Sequence, residues 1–254
     1  MGKVLAIVGV AAVSLAVVGA ALANHSWGSY HWSRASNPLT LSVGDNVNSG
    51  WDAYLSGATS DWDQSSVLAL TGVAGGTSGS TCAPTSGRIE VCNAAYGTTG
   101  WLGVAQIWVT QGHITQATTK VNDTYFNTAQ YNTEAWRRLV MCQEVGHDFG
   151  LDHQDVNFNN GNLGTCMDYT NDPDGPPSNE HPNQHDYDQL ASIYLHLDGS
   201  GGGKPCNPHK PNCQSRVGNA PPFSQASRAN GDLYVDVLPN GGRRITHVFW
   251  APLG

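Results

Sequence analysis

Between Met141 and Asp155 the chain reads Met-Cys-Gln-Glu-Val-Gly-His-Asp-Phe-Gly-Leu-Asp-His-Gln-Asp, and no other stretch limits the fold as tightly. Gln143 and His147 are four residues apart. A helix through them sets both side chains on one face, one turn apart, with Glu144 beside them. Asn132 or Thr133 can cap the start of that helix. Trp136, Leu139, Val140 and Val145 supply apolar surface to pack it against a core. Gly150 is a natural stop, because glycine enters the left-handed region without a Cβ penalty. Beyond it the chain can turn sharply and swing His153 back toward His147.

The segments before this helix read as strand, helix, then several strands. Leu39, Leu41 and Val43 alternate within Pro38–Val47, the period of a strand. Trp51, Leu55, Ala58 and Trp62 then recur at helical spacing, and the two tryptophans on that stripe read as core. Val67–Ala74, Arg88–Cys92, Val104–Val109 and Ile114–Val121 are further strands. The threonines of the last suit a strand with one exposed face. The aromatic stretch from Asn24 to Arg34 reads as an arm packed on the domain, with His25 and His31 as possible extra metal ligands. After the central helix, residues 157–182 are rich in Asn, Asp, Gly and Pro, hence a long loop. A final helix is expected over Gln184–His196. Asp232–Leu238 and Arg244–Trp250, around Pro239-Asn240-Gly241-Gly242, read as a β-hairpin.

With 254 residues the chain can bury one good core with a small unit left over. Lys3, the apolar run Val4–Ala20 and Ala21-Leu22-Ala23 have the layout of a cleavable export signal, which leaves no stable membrane insertion once removed. Six cysteines fall into close pairs, Cys82 with Cys92, Cys142 with Cys166 and Cys206 with Cys213, as expected for disulfides in an oxidising compartment. A Cys142–Cys166 bridge would close a loop worth roughly 3 kcal/mol in the chain-entropy model. Twelve Lys plus Arg stand against twenty Asp plus Glu, with no basic run, so nothing points to nucleic acid as a partner.

The pattern Gln143-Glu144-Val145-Gly146-His147-Asp148-Phe149-Gly150-Leu151-Asp152-His153 resembles the HExxHxxGxxH motif of the metzincin zinc peptidases, the matrixin-like branch in particular. Met167, fourteen residues after His153, is placed like the methionine of that family's Met-turn. The resemblance spans roughly residues 38–198 and is strongest over 133–198. It implies an α+β fold: a twisted, mostly parallel sheet, an active-site helix, a Met-turn and a C-terminal helix. It implies zinc held by His147 and His153, with Glu144 as general base. It also implies that Tyr169, two residues after the methionine, stabilises the oxyanion. Ile114–Val121 would be the edge strand beside the cleft, where an extended peptide could add to the sheet.

The departure is Gln143, which stands where the motif has its first histidine. An amide oxygen is a weaker donor to zinc than imidazole. Three readings stay open. Gln143 ligates weakly in an active enzyme; Asp155, Tyr169 or an N-terminal histidine completes the site; or the site is degenerate. The acidic run Asn171-Asp172-Pro173-Asp174 is a candidate for Ca2+. The expected organisation is a signal peptide over 1–23 and a catalytic domain over 24–198. A Gly/Pro-rich linker over 199–215 and a small β appendage over 216–254 follow. The expected function is a secreted zinc endopeptidase acting on protein or peptide substrates. The alternative is an inactive secreted zinc- or peptide-binding protein on the same fold.

Overall fold

A computed structural model of the chain describes residues 25–28, 30–198 and 220–252. The expected export signal, the Cys206–Cys213 pair and the linker lie outside the described residues. The strands are β1 (His31–Trp32), β2 (Leu39–Asn46), β3 (Leu68–Ala74), β4 (Arg88–Ala94), β5 (Trp101–Thr110), β6 (His113–Asn122), β7 (Leu233–Val237) and β8 (Arg243–Trp250). The helices are α1 (Asp52–Trp62), α2 (Asp123–Phe126), α3 (Glu134–His147) and α4 (Gln184–Ile193). All eight strands form one sheet of order β3-β2-β4-β6-β5-β8-β7, with β1 paired to β6. The pairings among β1, β2, β3, β4 and β6 are parallel; those made by β5, β7 and β8 are antiparallel. The class is α+β with a mostly parallel central sheet.

The stripe read from the sequence forms α1, with Leu55, Ala58 and Trp62 buried. The Trp62 indole donates to Cys142 O at 3.0 Å, which ties α1 to α3 across the main core. Val104, Tyr234 and Val248 form a second, smaller cluster, backed by Phe223 and Ala226.

Two expectations fail here. The C-terminal hairpin is not an appendage, because β8 pairs with β5 along almost its whole length and extends the main sheet. Its inward residues, Ile245 and Phe249, belong to the same core as the helices. Nor is Ile114–Val121 an edge. It lies within β6, between β4 and β5. Two of its three threonines are buried: Thr118 faces the interior, and Thr119 donates to Asp148 Oδ2 at 2.9 Å, while Thr115 is exposed. The edges are β3 and β7.

Two disulfides, Cys82–Cys92 and Cys142–Cys166, fit an extracellular setting. Among the described residues no helix is long and apolar enough to cross a membrane.

Candidate metal centre

Helix α3 builds half of the site. Thr133 caps it, its hydroxyl accepting from the Trp136 amide at 3.2 Å. All its residues from Leu139 to His147 are buried. The helix ends at His147, and Gly150 has φ +97°. A Cβ on Gly150 would come within 2.3 Å of the Tyr30 carbonyl oxygen, so the N-terminal arm also requires a glycine here. The turn that follows brings His153 back, with its Nε2 3.1 Å from Nε2 of His147.

The third member comes from the other end of the chain. His247 lies on β8 opposite Ala105 of β5, and its ring centroid is 3.9 Å from that of His147 and 4.3 Å from that of His153. One ring nitrogen from each of His147, His153 and His247 falls within 4.8 Å of the others. None of the candidates for completing the site in the sequence was His247. The signal was present, because a histidine alternates with Ile245 and Phe249 on the apolar face of the strand. Only the sheet pairing shows where that face points.

The nitrogen chemistry fits a cation. His147 Nδ1 is 2.8 Å from Leu151 O, and a carbonyl can only accept, so Nδ1 carries the proton and Nε2 offers a lone pair. Burial, then His247 and His153, hold His147 well below its usual pKa, so the ring is neutral. His153 Nδ1 faces Asp232 Oδ2 at 3.3 Å, which favours the same tautomer in His153. Two lone pairs then face each other at 3.1 Å, a repulsion that a bound cation resolves. Asp232 Oδ2 is also 3.4 Å from His247 Nε2. Burial opposes charge on Asp232, yet the two imidazoles keep its carboxyl well below the usual carboxylate range. A carboxylate backing metal-bound histidines in this way orients the rings and raises their basicity.

Glu144 is fully buried beside the His247 ring, with Oε2 3.5 Å from His247 Nδ1. Neither of its oxygens makes a well-formed hydrogen bond. Burial first, and then the neighbouring Asp148, push its carboxyl well above the ordinary range, with the Ala105 amide opposing. A Cβ on Gly103 would lie 2.6 Å from Glu144 Oε1 and 2.8 Å from Val140 Cγ1. The small residues Gly103 and Ala105 on β5 therefore let α3 settle close to the sheet.

No protein-family model matches the chain, and no curated protein is recognisably similar to it.

The remaining residues singled out in the sequence lie around this cluster. Gln143 donates from Nε2 to Cys166 O at 2.7 Å, while its buried Oε1 has no partner. Its amide thus holds the loop that the Cys142–Cys166 bridge also ties to α3. Met167 is fully buried beneath the helix; a Cβ on Gly146 would lie 2.7 Å from its sulfur. The Tyr169 hydroxyl is 3.0 Å from His247 Nε2 and 3.2 Å from Asp232 Oδ2, and its ring packs 4.3 Å from that of His153. Asp155 is engaged in its own loop, with Oδ1 accepting from the Asn157 amide at 2.8 Å. His25 points elsewhere, its Nδ1 2.9 Å from Asp152 O and its ring stacked on His185. The run Asn171–Asp174 closes as a turn, with the Gly175 amide 3.0 Å from Asp172 O. It is not part of either group of three convergent His or Asp donors among the described residues.

The arm covers the centre. The Trp27 amide donates to Gly150 O at 2.9 Å, and its indole stacks on His147 at 5.1 Å with planes 7° apart. Trp27 is 0 % exposed.

Proposed function

We propose that the chain is a secreted zinc-dependent endopeptidase of the metzincin type in which His247 stands in for the histidine that Gln143 replaces. The observation that carries this reading is the convergence of His147, His153 and His247 beside the buried Glu144. Three imidazoles suit zinc, and three protein ligands leave a fourth position open, as in catalytic sites. Zinc held there would supply an activated water and polarise a substrate carbonyl.

The chain's own groups account for the rest. Glu144, with its carboxyl affinity for protons raised by burial, takes the water proton at Oε and delivers it to the leaving amine. Asp232 holds His153 and His247 in orientation. The Tyr169 hydroxyl donates to Asp232 and touches His247 Nε2, so acting on a developing oxyanion, the role the resemblance gives it, would require it to turn away from both. Hydrolysis of an unfolded protein substrate by wild type and Glu144→Gln tests the proposal. A loss of about 10²-fold or more is expected for the variant. Equal rates would remove Glu144 from the mechanism.

A second reading has one observation in its favour, the complete burial of Trp27 over His147. A zinc- or peptide-binding protein without turnover would keep such a cover closed. Wild type that binds zinc yet cleaves no peptide would select it.

A further inference from the structure

A second group of ligand-type side chains lies apart from the first centre. His31 on β1, His113 at the start of β6 and Asp198 beyond α4 bring one donor atom each to within 4.8 Å of one another. Asp198 Oδ1 is 3.3 Å from His31 Nε2 and 3.1 Å from His113 Nε2. His196 joins them, with Nε2 3.3 Å from the same oxygen. The rings stand edge to face: the His31 centroid is 4.9 Å from that of His113 and 4.9 Å from that of His196, at 80° and 78°. His31 is 4 % exposed and the Asp198 side chain 1 %.

Hydrogen bonding alone accounts poorly for this convergence. Oδ2 of Asp198 already accepts from the Arg34 amide at 2.8 Å. That leaves one oxygen, Oδ1, to receive three imidazole donors at once, and all three rings would have to carry their proton on Nε2. A cation uses the nitrogen lone pairs instead. Donor atoms of a tetrahedron with zinc bonds of about 2.0–2.1 Å lie about 3.3 Å apart, close to the Nε2 to Oδ1 separations seen here.

We infer that His31, His113 and Asp198 form a second metal site, for zinc or a similar first-row divalent cation, with the half-exposed His196 beside it. Two imidazoles and a carboxylate supply three ligands, and His196, on the same Asp198 oxygen, is the nearest candidate for a fourth. The ion joins three segments distant in sequence: the N-terminal arm, the start of β6 and the chain leaving α4. The Asp198 amide donates to Arg34 O at 2.8 Å, and the Arg34 side chain bonds the carbonyls of Tyr194 and His196, so the same junction is already laced by backbone contacts. It lies just beyond the part of the arm that carries Trp27 over the first centre.

Zinc bound per chain, by metal analysis after dialysis against a low free-zinc buffer, tests the inference in wild type, His113→Gln and His247→Gln, with circular dichroism to check folding. Two ions in wild type are expected, and each variant should retain one. The double variant should retain none. Wild type holding no ion overturns the inference, as does a folded His113→Gln that keeps every ion wild type holds. If His113→Gln does not fold, the nearly isosteric Asp198→Asn replaces it, with at least a tenfold weaker second ion expected and unchanged affinity contradicting the assignment.

Discussion

Gln143 illustrates how a position in a motif can change its task. Its side chain bonds Cys166 O, on the loop that lies under the helix. Gln143→Ala should leave that buried carbonyl unpaired and cost about 1–3 kcal/mol in urea denaturation, without releasing the ion from the first centre. Trp27 has the opposite profile. Trp27→Ala removes a fully buried indole and should cost about 3–5 kcal/mol. It should also uncover His147, so a chelator should strip the first centre several-fold faster than in wild type. An unchanged stripping rate would mean the arm does not limit access.

At the level of elements, the close approach of α3 to β5 positions Glu144. Gly103→Ala places a methyl 2.6 Å from Glu144 Oε1 and should lower stability by about 1–3 kcal/mol, with a larger proportional loss of peptidase activity. Activity falling only with the folded fraction would argue against that positioning role. Between β2 and β4, Glu90 is buried with its Oε1 2.8 Å from Arg88 Nε and its Oε2 2.7 Å from Asn46 Nδ2. Burial alone would raise its pKa, but the bonds from Arg88, Thr85, Asn46 and the Gly76 amide hold it below the usual range. A carboxyl depressed in the folded state contributes stability above its unfolded pKa and loses it as pH falls through the folded value. Glu90→Gln should therefore cost about 2 kcal/mol at pH 7. The gap from wild type should narrow in acid, as denaturation midpoints at pH 7 and pH 3 would show. A gap that stays constant would mean the charge is not what matters.

Across the whole molecule, the site is assembled from both ends of the chain, and that explains what the sequence could and could not reveal. Local period made the helices at Trp51–Trp62 and after Thr133 readable, and proximity made the Cys82–Cys92 and Cys142–Cys166 bridges readable. The hairpin was also visible, since its turn residues are local. Its partner was not, because pairing β8 with β5 spans more than a hundred residues and leaves no mark in either strand's pattern. So His247 is hidden within a tail that reads as a small appendage, and β6 reads as an edge although it lies between β4 and β5. The same pairing carries the central claim, that the hairpin completes the centre begun by His147 and His153. The most direct test compares the metal content of His247→Gln and Gln143→Ala with that of wild type. The account predicts that His247→Gln loses one ion per chain and Gln143→Ala loses none. Loss of the ion from Gln143→Ala, with His247→Gln unchanged, would contradict it.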